Sequence, residues 1–254
     1  MALFQKSVLN EYLKKQDNVA VEKAYKKFVK YFHNLTTQQN IRDINEEGFQ
    51  QKFLMELFVT CFGYVINPDP DYNLTTEFKN LKDAKKADGA ILIDGKARAV
   101  IELKGTNTKD LEKCRQQAFD YHSNHPTCKY VITSNFEKFR FYINTSDEFE
   151  EFNLFTLTEK QFALLYLCVF NENLLNNIPL EIKKASIQKE EVITKEFYSD
   201  YSTFKRELFR DLVKLNMKNE VFHSELNIED VETANKNIKL NLFKKSQKLI
   251  DRFL

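Results

Sequence analysis

Glycine is the residue whose placement most restricts this chain. Its 254 residues contain five, at positions 48, 63, 89, 95 and 105, and none follows Gly105. A phosphate cradle or a dinucleotide-binding turn needs clustered glycines, because backbone must approach phosphate or cofactor closely. No cluster of that kind exists, which excludes P-loop NTPases, Rossmann dehydrogenases and most methyltransferases.

Composition then bounds the class. The chain is 43% hydrophobic and 30% charged, with a net charge of +1, and reads as a soluble protein long enough to bury a substantial core. No run of about 18 apolar residues is present, so neither a membrane span nor a membrane partner is expected. The opening MALFQKSVLNEYLKK lacks the apolar core and small-residue cleavage site of a secretory signal. Sequons at Asn34, Asn73 and Asn144 are therefore read as accidental, and scattered Cys61, Cys114, Cys128 and Cys168 as reduced thiols in a cytoplasmic protein. A net charge of +1 argues against a domain that holds nucleic acid unaided. Seven lysines against three acids before residue 34 read as a solvated helix face.

Hydrophobic periodicity orders the elements. Val21, Ala24, Tyr25, Phe28, Val29 and Phe32 recur at helical spacing in a helical segment over residues 1–40, and HNLTTQQN reads as a polar break. Phe49, Phe53, Leu54, Leu57, Phe58, Cys61 and Phe62 form a second amphipathic pattern that Gly63 is suited to stop. A proline-containing loop leads to a short strand near Leu74 to Phe78, followed by the hairpin KADGAILIDGKARAVIELKG, a helix over 108–123, and strands at Tyr130 to Thr133 and Lys138 to Ile143. Helix, three strands, helix, two strands implies an α/β layer structure with a mixed sheet. From residue 158 the pattern turns helical, with a polar linker expected over 176–194 and a last helix whose Leu249, Ile250, Phe253 and Leu254 run uncapped to the end. That ending reads as a chain cut within a helix, with a short natural C-terminal helix as the alternative.

The hairpin carries the chemistry. Glu102 and Lys104 are two apart on a strand and share a face, while Leu103 points away. A two-residue turn at Asp94 and Gly95 pairs Ile93 with Lys96 and turns Asp88 away from Glu102. A three-residue loop, or a bulge, instead sets Asp88 opposite Glu102. In that register two carboxylates and one ammonium share a patch whose repulsion a cation would relieve; hard oxygens suit Mg²⁺ or Mn²⁺. A solvated charged strand would show the same D-x13-E-x-K spacing.

The arrangement resembles the PD-(D/E)xK nuclease superfamily, with Ala87 and Asp88 where the family has Pro-Asp and Glu102-Leu103-Lys104 as its E-x-K. Glu47, sixteen residues ahead of Gly63 and Tyr64, resembles that family's helix-borne glutamate. Gln117 and Tyr121 match a Q-x-x-x-Y helix, and VITSNFEKFRFYI the two closing strands of one subgroup. Glu46 is the rival of Glu47, since a helix turns about 100° between neighbours and only one can face the hairpin. The segments EFYSDYSTFKRELFRDL and NLFKKSQKLIDRFL are similar to the helical connector of type IIG enzymes, which fuse nuclease, methyltransferase and target-recognition domains.

The resemblance implies a restriction-endonuclease-like α/β core over residues 41–157, after the N-terminal helical segment and before a helical connector over 158–254 that is truncated ahead of a methyltransferase domain. It implies metal-dependent hydrolysis of double-stranded DNA, with Asp88, Glu102 and Lys104 catalytic. Asp88, Glu102 and the Leu103 backbone carbonyl would hold Mg²⁺ or Mn²⁺, supported by Glu47, Gln117 and Tyr121. Neither a glycine-rich cofactor loop nor an N-P-P-Y motif is present, so S-adenosylmethionine would belong to the missing methyltransferase domain of the same full-length chain. Transient dimerisation would serve double-strand cleavage. A catalytically silent DNA-binding or scaffolding module on the same fold, or a metal-dependent hydrolase of another substrate, is the alternative.

Two other constellations lie outside the hairpin. Cys114, His122, His125 and Cys128 offer zinc-like side chains but no C-x-x-C knuckle, and read as a polar loop beside two buried thiols. His33 and His223 pair with no nucleophile motif.

Overall fold

The computed structural model describes residues 3–79, 86–216 and 231–250. Three helices lead the chain: α1 (Lys6–Lys15), α2 (Asn18–Phe32) and α3 (Leu35–Asp43). The expected polar break at HNLTTQQN is instead α3. Asn34 caps it, its side chain accepting from the Thr37 N–H, and Ile41 gives the helix a buried face. Helix α4 (Glu46–Phe53) continues as a π-helical stretch, Leu54–Cys61, that ends where Gly63 takes a φ of +73°. Only glycine adopts that conformation without strain, as the sequence reading expected.

A six-stranded sheet follows, in spatial order β1 to β6: β1 (Leu74–Lys79), β2 (Lys86–Ile93), β3 (Lys96–Leu103), β4 (Tyr130–Ser134), β5 (Lys138–Ile143) and β6 (Phe149–Asn153). β3 and β4 run parallel, joined through α5 (Glu112–Asn124), and every other pair is antiparallel. β6 was not foreseen. Its sequence FEEFN has no clean alternation, because Glu150 is spent on the Leu3 N–H and Glu151 on Arg140.

Each face of the sheet has its own cover. Ile91, Ala99, Ile101 and Leu103 join Ile132, Phe139 and Phe141 in the main core with Phe28, Phe32, Phe53 and Phe58 of the N-terminal helices and Phe162 of α6 (Glu159–Val169). Val100, Val131 and Tyr142 pack with Ala118 and Tyr121 of α5. Every residue of β4 is buried for this reason, and the strand opens as an apolar run, Tyr130 to Ile132, before Thr133 and Ser134. Helices flanking a mixed sheet make this the restriction-endonuclease-like class expected.

After α7 (Asn171–Leu175), residues 178–194 are helical where a polar linker was expected; they begin α8 (Ile178–Asn216), whose Ile182 and Ser186 are buried. The polar residues of that stretch are the solvated side of a helix. The chain forms two compact units, Met1–Lys189 and Glu190–Leu254. In the second, Ile238 and Leu242 of α9 (Val231–Ile250) are buried against Phe209, Leu212 and Val213 of α8. His223, Phe253 and Leu254 lie outside the described residues. Among the described residues no helix is long and apolar enough to cross a membrane.

Candidate active site

The hairpin solves its register problem with a bulge. Its turn is the two-residue form, Ile93 pairing with Lys96, and both turn residues have positive φ, Asp94 at 50° and Gly95 at 72°. That twist matches the flanking strands. Left alone, this turn would send Asp88 and Glu102 to opposite faces. Between Ile91 and Leu92 the pairing shifts, from Leu92 opposite Ala97 to Ile91 opposite Ala99, which leaves Arg98 as the extra residue. Gly89 then pairs with Ile101, and the register continued by one residue sets Asp88 against Glu102. The bulge, and not a three-residue loop, is what sets Asp88 opposite Glu102.

Asp88 is held through both oxygens. Its Oδ2 accepts from the Leu103 N–H at 2.6 Å and its Oδ1 from Gln50 Nε2 at 3.1 Å. Glu102 is 1% exposed; Oε1 lies 2.9 Å from Lys104 Nζ, and Oε2 is buried with no hydrogen-bond partner. Burial first, and then the nearby Asp88 charge, push its carboxyl up to about 7 against the pull of Lys104. Burial also raises Asp88, opposed by the Leu103 N–H. For Lys104 burial works against the charge, but Glu102, Glu46 and Asp88 outweigh it, so the net shift is upward and the ammonium stays protonated.

Lys104 Nζ also donates to the Leu103 carbonyl at 2.9 Å and lies 3.4 Å from Glu46 Oε1, while Glu46 Oε2 accepts from the Gly105 N–H at 3.1 Å. The preference for Glu47 is corrected here. Asn45 caps α4 by accepting from the Gly48 N–H, which makes Glu46 the first helical residue. From there Glu46 and Gln50, four apart on one face, both reach the hairpin. Glu47 lies about 100° further round, exposed and without a side-chain hydrogen bond among the described residues. Gln50 was missed altogether, although the cap signal at Asn45 with the i, i+4 spacing could have found it.

The α5 pair has a different placement from the one expected. The Tyr121 hydroxyl donates to the Lys86 carbonyl at 2.7 Å, tying α5 to the strand two residues ahead of Asp88. Gln117 makes no side-chain hydrogen bond among the described residues. It lines an open groove of about 560 Å³ with Lys86, Lys113, Gln116, Asp120 and Tyr121.

Among the described residues no three His, Cys, Asp or Glu side chains form a metal-holding group, so Cys114, His122, His125 and Cys128 do not make a zinc site. Burial pushes the Cys114 thiol up to about 12 and lowers both histidines, which describes inert, neutral side chains. A divalent cation at the hairpin would therefore draw on two carboxylates and the Leu103 carbonyl. The fit is good in kind: all three donors are hard oxygens, and Glu102 Oε2 is a buried acceptor with nothing to accept.

A family model described as the MmeI N-terminal domain matches residues 27–172, more than half of the chain and the whole of the arrangement above. No curated protein and no solved structure matches.

Proposed function

The chain belongs to the MmeI N-terminal domain family, which makes it the N-terminal part of a type IIG restriction enzyme, and on that premise we propose that it is the nuclease part, hydrolysing DNA phosphodiesters with Mg²⁺ or Mn²⁺. The observation that carries the reading is the bulged register that turns Asp88 toward Glu102 and leaves a buried Glu102 oxygen unpartnered. A charged strand that merely faced solvent would leave Glu102 exposed.

Asp88, Glu102 and the Leu103 carbonyl would hold the ion. Bound there, it supplies Lewis-acid polarisation of the phosphate and a water acidified enough to attack near neutral pH. The residues do the rest. Lys104, kept protonated by three carboxylates, presents N–H donors to the attacking water or to the charge that grows on the phosphate oxygens. Glu46 sets the reach of that lysine by accepting from both its ammonium and the next backbone N–H. Tyr121 fixes the strand entrance, and the groove beside it, bearing Lys86, Lys113 and Gln117, offers donors to a flanking stretch of DNA backbone. Methyl transfer and target recognition would fall to other domains of the full-length enzyme.

The test pairs calorimetric Mn²⁺ titration with nicking of supercoiled plasmid, on the chain and on Glu102→Gln. Binding and nicking by the wild type, both lost in the variant, are expected. A wild type that nicks equally well after the substitution would sink the assignment.

A further inference from the structure

We propose that Gln50 is a positioning residue that presets Asp88 for the divalent ion. The inference rests on the metal-nuclease reading and adds a residue to that site. Gln50 sits on α4, one turn after Glu46, and its amide nitrogen lies 3.1 Å from Asp88 Oδ1. The Leu103 N–H holds the other oxygen at 2.6 Å. A carboxylate gripped on both oxygens from two separate elements has lost its rotational freedom, yet each oxygen keeps a lone pair for a cation.

The chemistry of the donor matters as much as its place. A carboxamide meets a carboxylate through its N–H, so the contact orients Asp88 as an acceptor. It does so without bringing charge. A lysine or arginine at position 50 would orient Asp88 equally well but would neutralise it and compete with the incoming ion. Lys104, the cation that bears on Asp88 among the described residues, is engaged by Glu102 and Glu46. Nor is the amide required to anchor α4, because Phe49 and Phe53 are already buried in the main core. Gln50 therefore fits the orienting shell that surrounds metal ligands, where a lost partner weakens binding about 10- to 100-fold.

The test compares wild type with Gln50→Met, which keeps the length and loses the donor, and with Gln50→Leu as a second variant should Met fail to fold. Three quantities are read: Mn²⁺ affinity by calorimetry, the melting temperature without metal, and the plasmid-nicking rate across Mn²⁺ concentration. The expected result is Mn²⁺ affinity weakened about tenfold or more. The metal-free melting point should move by less than about 3 °C, and the nicking rate at saturating Mn²⁺ should recover to near wild type. A wild type that binds Mn²⁺ and nicks, beside variants of unchanged affinity, overturns the Gln50 role alone. So does a maximal rate that stays low at saturation, or an affinity that falls only together with the metal-free melting point. A wild type that binds no Mn²⁺ overturns this inference and the nuclease reading together.

Discussion

The backbone N–H of Leu103 donates a 2.6 Å hydrogen bond to Asp88 Oδ2, across fifteen residues of chain. The bond joins the two strands of the hairpin at the point where the ion is proposed to sit, since the carbonyl of the same Leu103 is the third proposed donor. It exists because one residue, Arg98, is left out of the ladder. The active-site geometry thus depends on a backbone irregularity several residues away.

Deleting Arg98 together with Ala99 should abolish Mn²⁺ binding, because an unbulged ladder running from the Ile93–Lys96 pair then sets Asp88 opposite Leu103 and turns it away from Glu102. Arg98→Ala, which keeps the bulge and loses only the contacts to Thr127 and Asn177, should bind Mn²⁺ within about threefold of wild type. Equal binding by both variants would show that the hairpin register does not set the site.

Glu46 and Glu47 should separate cleanly. Glu46→Ala removes the partner of Lys104 and of the Gly105 N–H and should cost about 10- to 100-fold in nicking rate. Glu47→Ala should stay within about twofold. Plasmid nicking under single-turnover conditions decides it, and the reverse order would restore the sequence-based preference.

Lys104→Met keeps the aliphatic stem and removes the ammonium. Loss of a donor aimed at developing charge should lower the nicking rate about 100- to 1,000-fold, with circular dichroism unchanged. A rate within tenfold of wild type would remove Lys104 from the chemistry.

The pH dependence of metal-free stability has a definite sign. The Glu102 carboxyl lies at about 7 in the folded protein, above its ordinary value of 4.5, so the folded state holds the proton more tightly than the unfolded one. Its contribution is therefore full below pH 4.5 and is lost as pH rises through 7. A shift of that size corresponds to roughly 3 kcal/mol. Urea denaturation in chelator at pH 5 and pH 8 should show this decline in the wild type and a flatter profile in Glu102→Gln. Parallel profiles would contradict the raised value.

Phe53→Ala tests the platform that carries α4. Phe53 is fully buried and contacts the rings of Phe32, Phe49, Phe58 and Phe136, so its removal should cost about 3–5 kcal/mol by chemical denaturation. Mn²⁺ affinity should fall with it if α4 positions Glu46 and Gln50.

Much of this was legible without coordinates. Strands β1 to β5 and the stop at Gly63 follow from alternation, an apolar run, turn chemistry and the residue type that best tolerates positive φ. The misses share a cause. The α3 segment, residues 178–194 and β6 are all rich in polar residues, and single-sequence periodicity cannot tell a solvated helix face or an edge strand from a loop. A local signal for the first of them was present in the cap at Asn34, but a cap states only where a helix begins.

The sequence by itself determined the types of the strongly patterned elements, the absence of a glycine-rich phosphate cradle and the identity of Asp88, Glu102 and Lys104 as the charged groups needing explanation. Those properties are written within a few residues of each position. Only the tertiary structure decided that the hairpin bulges, that Glu46 rather than Glu47 meets Lys104, and that Gln50 grips Asp88. The last two are contacts between distant segments, set by how the aromatic core seats α4 against the sheet, a rotation that the cap at Asn45 and the i, i+4 spacing narrow but do not fix.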